Sequence, residues 1–352
     1  MKKTKHLFTD VLESVMTERK NAVESLGTAD WERRIMARSF EYLGGVYVED
    51  IDEDFLNRFY SRIRYKDNGE LYSDKYIKSV TCVIKAVMKK SVLKGYILRN
   101  VFDYGYRTPK GYVAPPTERI ISERDLTRLI ECCKTDERFK VMIPTLLLTG
   151  MRIGEMLALY WTDIDFENNI ISVTKAVHPR FYELPTGGIV RDGVYIGKPK
   201  SFSSIRDIPV PQAVIDLLSE WKISITNNDK LVNRIKENEN EHLVFPNNAG
   251  KVTNYETLSD SLNAFLKRNG LQHCNILFHK LRHNYATLLL DSGVDIDIIS
   301  KLLGHKSIRT TADTYIKVKM NVKKQAVDKL SKYADDTGIY KKSVSIDDTL
   351  CG

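Results

Sequence analysis

The chain of 352 residues carries 54 Lys and Arg against 46 Asp and Glu, a formal charge of +8. That is long enough for two domains of about 100–200 residues each, and the basic balance favours an anionic partner. Five cysteines, odd in number and without a Cys-x-x-Cys pair, argue for a reducing compartment and against a disulfide framework or zinc cluster.

The N-terminus MKKTKHLFTDVLESVMTERK begins with a basic cluster, but Thr9, Asp10, Glu13 and Ser14 break its apolar residues. No signal-peptide core of about 7–15 apolar residues is expected there. Nor does any run of about 18 apolar residues occur, so the expectation is a cytoplasmic protein with no membrane partner. Residues 1–29 read as an N-terminal extension. Residues 30–110 then read as an all-α bundle, because WERRIMARSFEYLGGV, DEDFLNRFYSRI and DKYIKSVTCVIKAVMKKSVLKGYIL place apolar residues at helical spacing. The last of these carries Lys75, Lys78, Lys85, Lys89, Lys90 and Lys94 beside its apolar stripe. Such a row can follow a phosphate backbone; a solvated face is the alternative reading.

Three prolines and a glycine within RTPKGYVAPPTERII mark a linker at 111–117. A second domain over 118–335 opens with a helix in SERDLTRLIECCK, with Ser122 as N-cap. FKVMIPTLLLTGMRIGEMLALYW continues as helix with a break at Gly150, and DIDFENNIISVTKAV reads as two strands about an Asn168-Asn169 turn. A glycine-rich excursion, LPTGGIVRDGVYIGKPKS, precedes another strand in SSIRDIPV; helices follow from PQAVIDLLSEW onward. Residues 336–352 form a polar tail.

Two familiar chemistries fail, one on spacing and one on residue identity. GVYIGKPKS is no phosphate-binding P-loop, since Gly193 and Gly197 enclose three residues and Pro199 follows Lys198. HKLRH repeats the histidine spacing of zinc hydrolases but has Lys280 where their general-base glutamate belongs. Phosphate chemistry without metal remains. His279, Arg282 and His283 share one helix face, and Arg152 follows the glycine break with Glu155 one turn on, placed to orient it or balance its charge. Two guanidiniums could clamp a phosphodiester and neutralise charge in its transition state.

The order Arg152, Lys200, His279-x-x-Arg282, His305, Tyr315, in the contexts TGMRIGE, PKS with IRDIPV, HKLRH, LLGH and TADTY, resembles the tyrosine recombinases or phage-type integrases. The resemblance covers about 118–333. It implies a multidomain protein, an all-α core-binding domain followed by a mainly helical α+β catalytic domain with a small antiparallel sheet, the DNA breaking-rejoining fold. It implies site-specific strand exchange of a mobile element at double-stranded DNA sites, with Tyr315 as nucleophile forming a 3′-phosphotyrosyl link. His279 would move the tyrosine proton, Lys200 protonate the leaving 5′-oxygen, and His305 bond the phosphate or steady the tyrosine. Lys198 remains the alternative to Lys200, and His283 is expected to be structural. Lys78, Lys85 and Lys89 become candidate DNA contacts. No metal or cofactor is needed, because the phosphotyrosyl bond conserves the energy of the broken ester. The expected assembly is a homotetramer on DNA, with an accessory excision factor possible and with the helix after Tyr315 docking on a neighbouring protomer. The residues before the bundle are too few for a further arm-site module of at least about 50 residues. A type IB topoisomerase would share the chemistry but rejoin the same strand, and a non-enzymatic regulator would have no use for the reactive set.

Overall fold

The computed structural model describes residues 4–21, 27, 31, 34–35, 41–113, 120–184 and 189–315. The chain divides into two units, Met1–Pro115 with Pro179–Gly193, and Pro116–His178 with Val194–Gly352. Within the first, α1 (Phe8–Asn21) packs on α3 (Asp74–Leu93), and α2 (Glu53–Ile63) contributes to the same core. α1 begins well ahead of residue 30, where the sequence reading starts the bundle. The reason is its spacing: Phe8, Val11, Leu12 and Val15 all face the core, while Asp10 and Glu13 stay exposed. The charges that interrupt the apolar run in sequence are the outward positions of an amphipathic helix.

Side chains cap both following helices. Asp52 accepts from Phe55 N at 2.7 Å and Ser73 from Tyr76 N at 3.2 Å, each satisfying a backbone donor that the helix itself leaves open. α3 buries Ile77, Val80, Val83, Ile84, Val87 and Met88, each worth about 1.5–3 kcal/mol for a large apolar side chain fully removed from water. Its opposite face exposes Lys75, Lys78, Cys82, Lys85 and Lys89. Lys78 is bonded to Asp74 at 2.6 Å, and the Lys85 ammonium lies 5.1 Å from the Phe102 ring centroid.

The second unit is built around α5 (Phe139–Thr149), which follows α4 (Glu123–Cys133) and precedes the single turn α6 (Ile153–Met156). Ser122 caps α4, accepting from Asp125 N at 3.1 Å. α5 buries residues all round, Phe139, Val141, Met142, Ile143, Leu146 and Leu147 among them, as a helix at the centre of a core must. Strands β1 (Ile164–Asp165), β2 (Ile170–Val173) and β5 (Arg206–Pro209) form an antiparallel sheet in the order β1-β2-β5, with Ile171 opposite both Ile164 and Ile208. Between β2 and β5 the glycine-rich excursion forms a two-stranded hairpin of β3 (Ala176–Glu183) and β4 (Ile189–Gly197).

Helices α7 (Gln212–Thr226), α8 (Asp229–Glu237) and α9 (Tyr255–Arg268) lead to α10 (Phe278–Asp291), α11 (Ile296–Leu303) and α12 (Ile308–Tyr315). α10 packs on α5, α11 on α10, and α12 on α11. That succession carries the HKLRH and LLGH segments to the end of α5. Among the described residues no helix is long and apolar enough to cross a membrane. The expected helix after Tyr315 and the polar tail lie outside the described residues, as does most of the 111–117 linker.

Candidate active site

Two helix ends meet here. α5 closes at Gly150 (φ +62°) and α11 at Gly304 (φ +63°). A Cβ at Gly150 would fall 2.2 Å from Tyr285 Cδ1, and at Gly304 2.9 Å from the Ser203 carbonyl oxygen, so both the left-handed turn and the close approach require glycine. A helix C-terminus presents unsatisfied carbonyls and partial negative charge. Guanidiniums fill that role. Arg206 Nε donates to Leu302 O at 2.6 Å, Arg282 Nη2 to Leu303 O at 2.6 Å, and Arg152 Nη2 to Gly304 O at 3.3 Å. Three successive carbonyls of LLGH thus hold three different arginines. Arg282, only 2% exposed, also donates from Nη1 to Gly150 O at 2.7 Å and so ties the two helix ends together.

Glu155, 2% exposed, stands between two of the arginines. It accepts from Arg152 Nη1 at 2.6 Å, from Arg152 N at 2.9 Å and from Arg206 Nη2 at 2.9 Å. Burial pushes its carboxyl upward, but Arg206 and then Arg152 outweigh burial and hold it below the ordinary carboxylate range. Ser204 joins the cluster: its hydroxyl lies 3.3 Å from Arg152 Nη1, and its carbonyl accepts from Arg206 Nη1 at 2.8 Å.

Both histidines are shifted toward the neutral form. His279, one turn before Arg282 on α10, is lowered by burial, then by Arg282 and Arg152. His305 is lowered to about 4 by burial and then by Arg282, Arg152 and Arg206. The His305 ring is anchored through Nδ1, 2.8 Å from Thr311 Oγ1 on α12. His283 packs edge-on against His279 with ring centroids 4.5 Å apart.

The structure therefore brings together Arg152, Glu155, His279, Arg282 and His305. Tyr315 ends α12 one turn beyond Thr311; its side chain lies outside the described residues. Lys200 is exposed, in the turn after β4 and one residue before Ser201, whose hydroxyl is 3.0 Å from that of Ser204. Lys198 is exposed too, and His178 Nε2 donates to its carbonyl at 2.8 Å. Lys78, Lys85 and Lys89 belong to the outward face of α3. Sequence reading missed Arg206, whose IRDIPV context served only to align the lysine; a charged residue opening a strand with the buried Ile208 was its one local signal. Asp125, His273 and Cys274 also gather three metal-ligand atoms within 4.8 Å of one another. Ser122 Oγ donates to Asp125 at 2.7 Å and the Cys274 thiol bonds the same side chain, so hydrogen bonding accounts for this separate group.

Residues 119–322 match the phage integrase family and residues 7–108 the phage integrase SAM-like domain. A tyrosine recombinase XerC-like protein of Caldanaerobacter subterraneus subsp. tengcongensis is 28% identical over 298 residues, 82% of this chain and 73% of the relative. ICEBs1 integrase of Bacillus subtilis is 26% identical over 260 residues, 73% of this chain and 66% of the relative. In fold, the chain is similar to the Tn1549 transposon integrase in complex with transposon right end DNA, with a TM-score of 0.67 and 19% identity over 91% of this chain and 99% of that one. With more than half its length matched, this chain belongs to the phage integrase family, the tyrosine recombinases that cleave and rejoin DNA.

Proposed function

We propose that this chain exchanges DNA strands at the ends of a mobile element, through a covalent link between Tyr315 and a DNA 3′-phosphate. The observation that carries the reading is the convergence of Arg152, Arg282, His279 and His305, from separate helix ends, on a cluster where Arg152, Arg206 and Arg282 outnumber Glu155, a positive excess over those four side chains. A scissile phosphate fits that excess. Arg152, whose side chain is 38% exposed, reaches solvent and can donate to a non-bridging oxygen. The buried charge of Arg282 stabilises the second negative charge that develops as phosphorus becomes pentacoordinate.

Tyr315 Oη attacks phosphorus as its proton passes to His279, which its surroundings keep neutral and able to accept it. The P–O5′ bond breaks, and Lys200 protonates the leaving oxygen; Lys198 is the alternative donor. The incoming 5′-hydroxyl of a partner strand reverses these steps. His305, bonded to Thr311, steadies the tyrosine helix and presents its other ring nitrogen to phosphate. Exchange between two duplexes cuts four strands, each consuming one tyrosine, so the working assembly is a homotetramer. The reaction takes place in the cytoplasm.

Tyr315→Phe tests this directly. The variant retains duplex binding but gives no covalent adduct on a denaturing gel with 5′-labelled DNA, whose label stays on the fragment that carries the 3′-phosphate; an adduct that persists overturns the assignment. Paired oligonucleotide sites must yield exchanged products with the wild-type chain. Relaxation of supercoils without exchange would instead place it among the type IB topoisomerases.

A further inference from the structure

Arg206 is held by protein through all three of its guanidinium nitrogens. Its side chain is 7% exposed, and its three nitrogens donate to Leu302 O at 2.6 Å, Ser204 O at 2.8 Å and Glu155 Oε2 at 2.9 Å. Each of its nitrogens is thus committed to a protein oxygen, whereas Arg152 is 38% exposed. Glu155 raises the complementary problem. A buried carboxylate 2.6 Å from Arg152 weakens the field that Arg152 offers to phosphate.

We propose that Arg206 is a positioning residue for DNA cleavage: it cancels the charge of Glu155, so that Glu155 does not draw on the charge that Arg152, beside Arg282, offers to the phosphate. Counted over these four side chains, three guanidiniums and one carboxylate give +2, equal and opposite to the dianionic pentacoordinate transition state. Without Arg206 the same set gives +1. Glu155 can then do its geometric work, bonding both Nη1 and the backbone nitrogen of Arg152, without discharging the arginine it positions. The bond to Leu302 O gives Arg206 a second effect, since it fixes the turn that also carries the Leu303 and Gly304 carbonyls and then His305. The inference rests on the reading that Arg152 and Arg282 hold the scissile phosphate.

Charge and bracing separate in three variants. Arg206→Lys keeps the charge and loses the three-way bonding. Arg206→Gln loses the charge. Arg206→Gln combined with Glu155→Gln removes one charge of each sign and restores +2. In single-turnover cleavage of a duplex site, Arg206→Gln falls about 100-fold, the scale of losing one preorganised electrostatic group. DNA affinity, spread over many backbone contacts, stays within about threefold. Arg206→Lys stays within about tenfold of wild type, and the double variant recovers at least about tenfold over Arg206→Gln, as a compensated charge pair must. In an NMR titration of the free protein, the His305 imidazole takes its proton at higher pH in Arg206→Gln than in Arg206→Lys.

A wild-type rate in Arg206→Gln overturns the inference alone. So does equal slowness in all three variants with His305 titration unmoved, which would leave Arg206 a brace for the turn. Should Arg206→Gln not fold, a double variant that cleaves within about tenfold of Arg206→Lys supports the inference, and one slower than that overturns it. Absence of any adduct with the wild-type chain would remove the phosphate reading, and this inference with it.

Discussion

His305 follows the carbonyl end of α11, where a helix dipole favours an imidazolium, yet burial and three guanidiniums depress its pKa to about 4. The consequence for stability has a definite sign. An unfolded histidine takes its proton near pH 6.5, whereas the folded one stays neutral to about 4. The contribution is therefore complete above pH 6.5 and is lost as pH falls toward 4. Urea unfolding should show His305→Gln losing less stability than wild type between pH 6.5 and 4.5, by on the order of 2 kcal/mol. Parallel pH profiles for the two proteins would refute the depressed value. At this scale the sequence told much of the story, because Arg152, His279, Arg282 and His305 sit in short motifs whose spacing is local. Arg206 was not legible. Its meaning comes from Glu155, 51 residues earlier in the chain, and from the Leu302 carbonyl, 96 residues later.

Among elements, legibility follows burial. The strands β1 and β2 could be read because Ile164, Ile171 and Val173 are buried on one face and Asn169 turns with φ +56°. The hairpin β3–β4 has no such signal in its residue pattern, since its described side chains are all exposed or half-buried and no apolar alternation is imposed on AVHPRFYE or IVRDGVYIG. α1 hid for the opposite reason: its outward charges obscured a buried stripe. The hairpin is also what presents the two candidate lysines, so the choice between them belongs here. Lys200→Ala should slow cleavage of an ordinary phosphodiester about 10²–10⁴-fold, the range for losing a general acid. A substrate with sulfur in place of the bridging 5′-oxygen expels a thiolate that needs no proton, and on it the variant should cleave at nearly the wild-type rate. Lys198→Ala should match wild type on both substrates. If rescue by sulfur appears with Lys198→Ala instead, the role of general acid moves to Lys198.

DNA affinity is a property of the whole molecule, drawn from a chain with a formal charge of +8, and the active-site arginines supply only part of it. α3 of the first unit offers a second source, because Lys75, Lys78, Lys85 and Lys89 share its exposed face and such a row can displace condensed counterions from a duplex. The four lysines are not equivalent. Asp74 holds the Lys78 ammonium at 2.6 Å, so that charge is already largely compensated, whereas Lys89 has no carboxylate bonded to it among the described residues. Removing one lysine–phosphate pairing should lower the slope of log affinity against log salt by about 0.9. Lys85→Gln and Lys89→Gln should therefore each reduce the slope by about one, and Lys78→Gln by clearly less. Backbone pairings carry no sequence information, so all three variants should weaken binding to a recombination site and to random duplex by the same factor. A change in the ratio of those two affinities, measured by titration at several salt concentrations, would mean that this face of α3 reads bases rather than phosphates.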